Sequence, residues 1–209
     1  MHGTQKLGSY WRHIPENGDR ECCTNCQITE LMEHILINCE ATARTLIWQL
    51  AKDLWPHTHI PWPEINLGII LGSGSITLPN APQEEHEDQT LGTQRNRARG
   101  ARHLLQILVS EAAHLIWVLR CERVIKYNGR QHPDKDIKAR WLHVINTRLT
   151  EDKLIASKVK RDKQTLRTVR ETWEPILKRF IDLPHNWVHQ HEVLVGRRST
   201  HLAREGHMI

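Results

Sequence analysis

Three cysteines and a histidine stand at the spacing C-x2-C-x7-H-x4-C: Cys23, Cys26, His34 and Cys39. Three thiolates and one imidazole are the donor set of a closed, four-coordinate structural zinc site. Such a site dictates local structure. Two cysteines two residues apart form a tight turn that aims both sulfurs at one point, and the other ligands must come from an element that returns to it. Thr29 is placed to cap a helix over Glu30–Cys39. On an α-helix five residues advance about 140° beyond a full turn. The helix must therefore end or unwind near Asn38 for His34 and Cys39 to face one ion. Leu31, Ile35 and Leu36 are its expected apolar face. Cys22 is an alternative to Cys23 as ligand, although Cys22 to Cys26 makes a less favourable turn. Two other readings compete. Free cysteines often serve as small buried apolar residues, and CxxC can be a redox pair, which usually follows a strand in a βαβ pattern not found around Cys23.

At 209 residues the chain makes one domain or two small ones. It is long enough to bury a core without relying on metal alone. Five cysteines, four of them grouped, fit a reducing compartment better than a disulfide framework, and the expected location is intracellular, nuclear or cytoplasmic. The N-terminus lacks the apolar core of a signal peptide, no apolar run of eighteen residues occurs, and no membrane partner is expected. The formal charge of +5 is compatible with a polyanionic partner without requiring one. Eight Trp stand beside two Tyr and one Phe. Trp11, Trp48, Trp55, Trp117, Trp141 and Trp173 fall in or near helical patterns and read mostly as core anchors; base stacking is the alternative.

In chain order, 1–78 reads as a zinc-binding module with a lead-in around Tyr10, Trp11 and Ile14. A helix with apolar positions 43, 46, 47, 50, 51 and 54 ends before Pro56. An irregular or briefly extended segment follows from Ile60. Its Gly72-Ser73-Gly74 lacks the Lys-Ser/Thr of a phosphate-binding loop. Residues 79–98 read as a polar linker, acidic first (Glu84, Glu85, Glu87, Asp88) and then basic. Residues 99–195 read as a bundle of about three long helices. The first runs from Arg99 to about Tyr127 on the stripe Leu104, Leu105, Leu108, Ala112, Leu115, Ile116 and Leu119. The second follows Pro133-Asp134, with Ile137, Trp141, Leu142, Ile145 and Leu149 inward. The third spans about 163–182. Residues 196–209 are expected to be a basic, disordered tail. The expected fold class is thus mainly α: a small CCHC zinc module with two helices, then the bundle.

Arg95, Arg97, Arg99, Arg102, Lys158, Lys160, Arg161, Lys163, Arg167 and Arg170 are the candidate phosphate contacts; the plain alternative is a solvated helix face. No Gly-x-Ser-x-Gly, Gly-x-Gly-x-x-Gly or His-Glu-x-x-His occurs, and the carboxylates do not suggest two-metal chemistry, so no enzyme is expected. His185, His189 and His191 could gather a metal, though adventitiously.

Lys6-Leu-Gly-Ser-Tyr-Trp-Arg-His-Ile-Pro15, the cysteine stretch through Cys39, and Val109-Ser-Glu-Ala-Ala-His-Leu-Ile-Trp117-Val-Leu-Arg-Cys-Glu-Arg-Val-Ile125 together carry a resemblance. They resemble the segment that follows the RNase H domain in fungal, particularly basidiomycete, LINE-type retrotransposon reverse transcriptases, the first part being similar to the reverse-transcriptase zinc-binding module. The resemblance covers the chain to about Val195. It implies a CCHC zinc site carried by Cys23, Cys26, His34 and Cys39, and a task in holding RNA or DNA, with other retroelement domains as possible partners. The chain has no reverse-transcriptase Tyr-x-Asp-Asp motif and no RNase H carboxylate set. The expectation is therefore a zinc-dependent nucleic-acid-binding module separated from its catalytic domains. The alternatives are a helical protein-interaction domain with purely structural zinc, or a non-functional remnant.

Overall fold

The computed structural model describes residues 6–56, 60–76, 78, 89–159 and 162–196, with side chains described from 95 onward in the fourth segment. The fold is mainly α. Among the described residues five helices follow one another: α1 (Thr42–Asp53), α2 (Leu67–Leu71), α3 (Gln89–Ile125), α4 (Asp134–Lys158) and α5 (Lys163–Trp173). Short 3₁₀ turns and a π turn, His34–Asn38, join them among the described residues. No strand forms among the described residues; two isolated bridges do, Cys22 with Thr29 and Leu177 with Val195. The chain divides into two compact units that interleave its segments. One comprises Met1–Asp53, Pro61–Ile76 and Leu105–Val144, the other Leu54–Ile60, Thr77–Leu104 and Ile145–Ile209. The sequence reading instead divides the chain end to end.

In the first unit the apolar periodicity of α1 buries Ala43, Ile47 and Ala51. The later part of α3 buries Leu105, Leu108, Ala112, Leu115, Ile116 and Leu119, and the start of α4 buries Ile137 and Trp141. Leu142, expected inward, is 44% exposed because it lies one residue off the stripe set by Ile137 and Trp141. Residues 61–66 are irregular, as expected after Ile60, but 67–71 wind into α2: the Asn66 side chain accepts from the Ile69 N–H at 2.9 Å, an N-cap that starts a helix where propensity alone is weak.

The second unit buries Leu104, Ile145, Leu149, Val169, Trp173, Ile176, Leu177 and Trp187. Helix α5 stops at Trp173, short of the expected 182, because Pro175 withholds an N–H and its ring crowds the preceding turn. The chain continues in 3₁₀ turns and folds back. Lys178 N–H donates to Leu194 O (2.9 Å), Gly196 N–H to Ile176 O (3.0 Å) and Val195 N–H to Asn146 Oδ1 (2.8 Å). A polar knot sits in this core: buried Asp152 accepts from Trp173 Nε1 at 2.9 Å, and His103 Nδ1 lies 3.1 Å from Thr172 Oγ1. Beside it α3 and α5 touch backbone to backbone, since a Cβ on Gly100 would lie 2.5 Å from the carbonyl carbon of Glu171.

Helix α3 begins at Gln89, ten residues before its expected start, so 89–98 is helical and not linker. Residues 79–88, with Glu84, Glu85, Glu87 and Asp88, lie outside the described residues, as does the tail after Gly196. A stretch of α3 within Arg95–Ile125 has the length and hydropathy to cross a membrane, but 56% of that window is buried inside the protein, as in a core helix. The indoles behave mostly as anchors. Trp141, Trp173 and Trp187 are fully buried. Half-buried Trp11, Trp48 and Trp55 donate their N–H to the carbonyls of Lys6, Leu36 and Ile60.

Candidate metal centre and basic residues

Backbone hydrogen bonds shape the cysteine turn. Cys23 N–H donates to Ile28 O (2.8 Å), Gln27 N–H to Cys23 O (2.8 Å) and Glu30 N–H to Glu21 O (2.9 Å). Gln27 takes the left-handed conformation (φ 58°) that tightens the turn. Thr29 is therefore engaged in the bridge to Cys22 and does not cap a helix. Helical winding begins at Met32, which leaves Leu31 58% exposed while Ile35 and Leu36 are buried. Neighbouring residues of an extended segment point opposite ways, and here Cys23 is the cysteine that joins the cluster while Cys22 is not part of it.

The five-residue interval between His34 and Cys39 is solved by a change of winding. Cys39 N–H bonds to His34 O at 2.6 Å, the i→i+5 bond of a π turn. That bond stacks residue 39 over residue 34, which α-helical winding would not do. The turn is braced from outside. Trp48 Nε1 of α1 donates to Leu36 O at 2.8 Å and Arg44 Nε to Cys39 O at 2.5 Å.

The result is a gathered site. One ligand atom each of Cys23, Cys26, His34 and Cys39 lie within 4.8 Å of one another, and three of the four residues are buried. Sγ of Cys39 is 3.7 Å from Sγ of Cys23 and 3.9 Å from Sγ of Cys26. A tetrahedron with metal–sulfur bonds of about 2.3 Å has sulfur–sulfur edges of about 3.8 Å. His34 is 4% exposed, and its ring nitrogens have no hydrogen-bond partner beyond the sulfurs of the cluster itself. An imidazole so orphaned is costly unless one nitrogen has another ligand to bind. Edge lengths and orphaned nitrogens both fit a metal ion. A soft donor set of three sulfurs and one nitrogen, with no position left open, suits a structural ion of the zinc type better than an oxygen-seeking one.

Charge points the same way. Burial pushes the Cys39 thiol up to about 12, with the Cys23 and Cys26 thiols adding to the effect against the Ala41 N–H. Burial also opposes ionisation of Cys23, but the His34 ring, the N–H groups of Cys26 and Asn25 and the Arg123 guanidinium together hold it at about 6. One thiolate is thus accommodated by the protein's own groups, and full ionisation of the trio calls for a cation. Cys26 Sγ accepts the Glu40 N–H at 3.4 Å, the kind of outer contact that orients a ligand sulfur.

The module is fastened to the end of α3 by side chains that sequence reasoning missed. Buried Glu30 receives the Arg120 guanidinium in a fork, Nε donating to Oε1 at 3.1 Å and Nη2 to Oε2. Arg123 Nη1 donates to Thr24 Oγ1 at 2.9 Å, and its Nη2 lies 3.9 Å from Cys23 Sγ. A signal existed: Arg123 stands four residues after Leu119, in register with the apolar stripe, where a cation needs a buried partner.

The candidate phosphate contacts fall in the second unit. Arg95, Arg97, Arg99 and Arg102 lie on α3, Arg97 and Arg102 exposed and the other two half-buried; Lys158 ends α4; Lys163, Arg167 and Arg170 lie on α5. Lys160 and Arg161 are outside the described residues. The Gly100–Glu171 contact groups some of them. Burial raises the pKa of Glu171, while Arg97 of α3 and Arg167 and Arg170 of α5 all act on its carboxylate to lower it. Arg170 Nε is engaged by Glu174 at 2.9 Å, and its Nη1 lies 3.5 Å from His185 Nε2. His185, His189 and His191 are exposed and do not form a ligand group among the described residues.

Comparison with protein-family models, with curated proteins and with solved structures finds no match for this chain.

Proposed function

We propose that this chain is a zinc-dependent nucleic-acid-binding module of a retroelement reverse transcriptase. The observation that carries the proposal is the closed Cys23–Cys26–His34–Cys39 cluster, whose donor set and sulfur spacing suit zinc and leave no position for substrate. The role assigned to the ion is structural: it holds the turn and the π segment together. The retroelement origin is supported by the resemblance of Lys6–Pro15, Cys23–Cys39 and Val109–Ile125. RNA or DNA as partner is supported by the arginines of α3 and α5 grouped around Glu171.

Salt-dependent binding tests the proposal. Affinity for single-stranded RNA, DNA and a hybrid duplex is measured by fluorescence anisotropy over a range of salt. The logarithm of affinity should fall linearly with the logarithm of salt concentration. Replacing Arg97 or Arg167 by Ala should weaken binding across sequences and reduce that slope by about 1 each. Absence of binding at low salt refutes it. A second reading, a helical protein-interaction domain, is favoured by Leu154, Ile155 and Val159, all exposed near the end of α4. Concentration-dependent self-association without nucleic-acid binding selects that reading.

A further inference from the structure

A divalent ion held by three thiolates and a neutral imidazole leaves one net negative charge on the complex. Cys23 is fully buried and Cys39 nearly so, so much of that charge sits out of water. An uncompensated charge in such surroundings is strongly disfavoured. The nearby cations differ in what they face. Arg120 is committed to the Glu30 carboxylate. Arg44 directs Nε at the Cys39 carbonyl oxygen. Arg123, 3% exposed, points its Nη2 at Cys23 Sγ itself, 3.9 Å away, while Nη1 is pinned by Thr24 in the same turn. Among the described residues its guanidinium thus meets a hydroxyl and a sulfur. A buried guanidinium so placed is hard to account for unless the sulfurs are anionic.

We propose that Arg123 is the counter-ion of the metal centre, a positioning residue that favours an anionic complex of a divalent ion with the three cysteines and His34, and ties loading of the cysteine turn to the end of α3. The proposal rests on the metal reading of the cluster and goes beyond it, because it gives the site a charged partner 100 residues downstream of Cys23.

The test separates charge from packing. Co²⁺ affinity of the full chain is measured by competition with a chromophoric chelator for the wild type, Arg123→Met, Cys26→His and the double variant. Cys26→His converts the donor set to two cysteines and two histidines, whose divalent complex is neutral. Arg123→Met should lose about 10–100-fold in affinity in the wild-type background, the range for removal of an outer-shell partner, while keeping the sulfur-to-cobalt charge-transfer band. In the Cys26→His background the same replacement should change affinity little. Equal losses in both backgrounds mean that Arg123 only packs, which overturns the proposal. If Arg123→Met fails to fold by circular dichroism, Arg123→Lys and Arg123→Gln replace it in the same cycle, with Lys retaining more affinity than Gln. Failure of the wild type to bind Co²⁺ overturns the metal reading and the counter-ion with it.

Discussion

Replacing Gly100 by Ala should destabilise the protein although it improves helix propensity. Within a helix Ala is favoured over Gly by about 1 kcal/mol. At position 100, however, the new Cβ would lie 2.5 Å from both the carbonyl carbon and the Cβ of Glu171, and 2.7 Å from its oxygen. Two of those atoms are backbone, so the clash cannot be relieved by swinging a flexible side chain; α3 and α5 must move apart. Overpacking of this kind costs about 1–3 kcal/mol, and a backbone clash belongs at the upper end. The net effect is then a loss of about 2 kcal/mol. For a chain of this size that lowers the melting temperature by about 4–8 °C. Gly74→Ala is the control, because nothing lies within 4 Å of a Cβ there; it should change stability by less than about 1 kcal/mol. Urea unfolding followed by tryptophan fluorescence reads both. A Gly100→Ala variant as stable as the wild type, or more so, refutes the backbone contact and with it the grouping of Arg97 with Arg167.

Two further outcomes concern His103 and the thiols. Burial lowers the pKa of His103 from its ordinary 6.5, against the raising effect of Asp152 and together with Arg148, so the folded state resists taking up its proton. The unfolded chain therefore binds that proton first as pH falls, and stability should drop from about pH 6.5 downward through the lowered value, a loss that His103→Gln removes; urea midpoints that shift equally for wild type and variant between pH 7.5 and pH 5 refute this. Alkylation should also be ordered by exposure and ligation. Cys22 and Cys121, half-buried and outside the cluster, should label first, and on chelation half-buried Cys26 should label before buried Cys23 and Cys39, as read by mass spectrometry.

The grouping of Cys23, Cys26, His34 and Cys39 was legible because metal geometry restricts spacing more tightly than any propensity does. The conflict between a five-residue interval and α-helical winding was legible too, but its resolution was not. Ending the helix and switching to a π turn both satisfy the interval, and the choice depends on Trp48 and Arg44, which reach the turn from α1. The periodic stripes of α3 and α4 revealed their buried faces, apart from Leu142. The early start of α3 was hidden because 89–98 is polar and carries Gly92, so no apolar pattern marks it. Arg123 illustrates the opposite case: its register on the stripe was visible, but its partner lies 100 residues away in sequence.

Whether the cluster holds an ion is decided by metal stoichiometry with thiol counting. The purified, reduced chain is titrated with Zn²⁺ and Co²⁺, and free thiols are counted before and after loading. One equivalent per chain should bind, with three thiolates protected, a tetrahedral cobalt spectrum, and loss of affinity in His34→Ala. A chain whose five cysteines stay equally reactive, with no stoichiometric uptake of either ion, contradicts the metal centre and everything built on it.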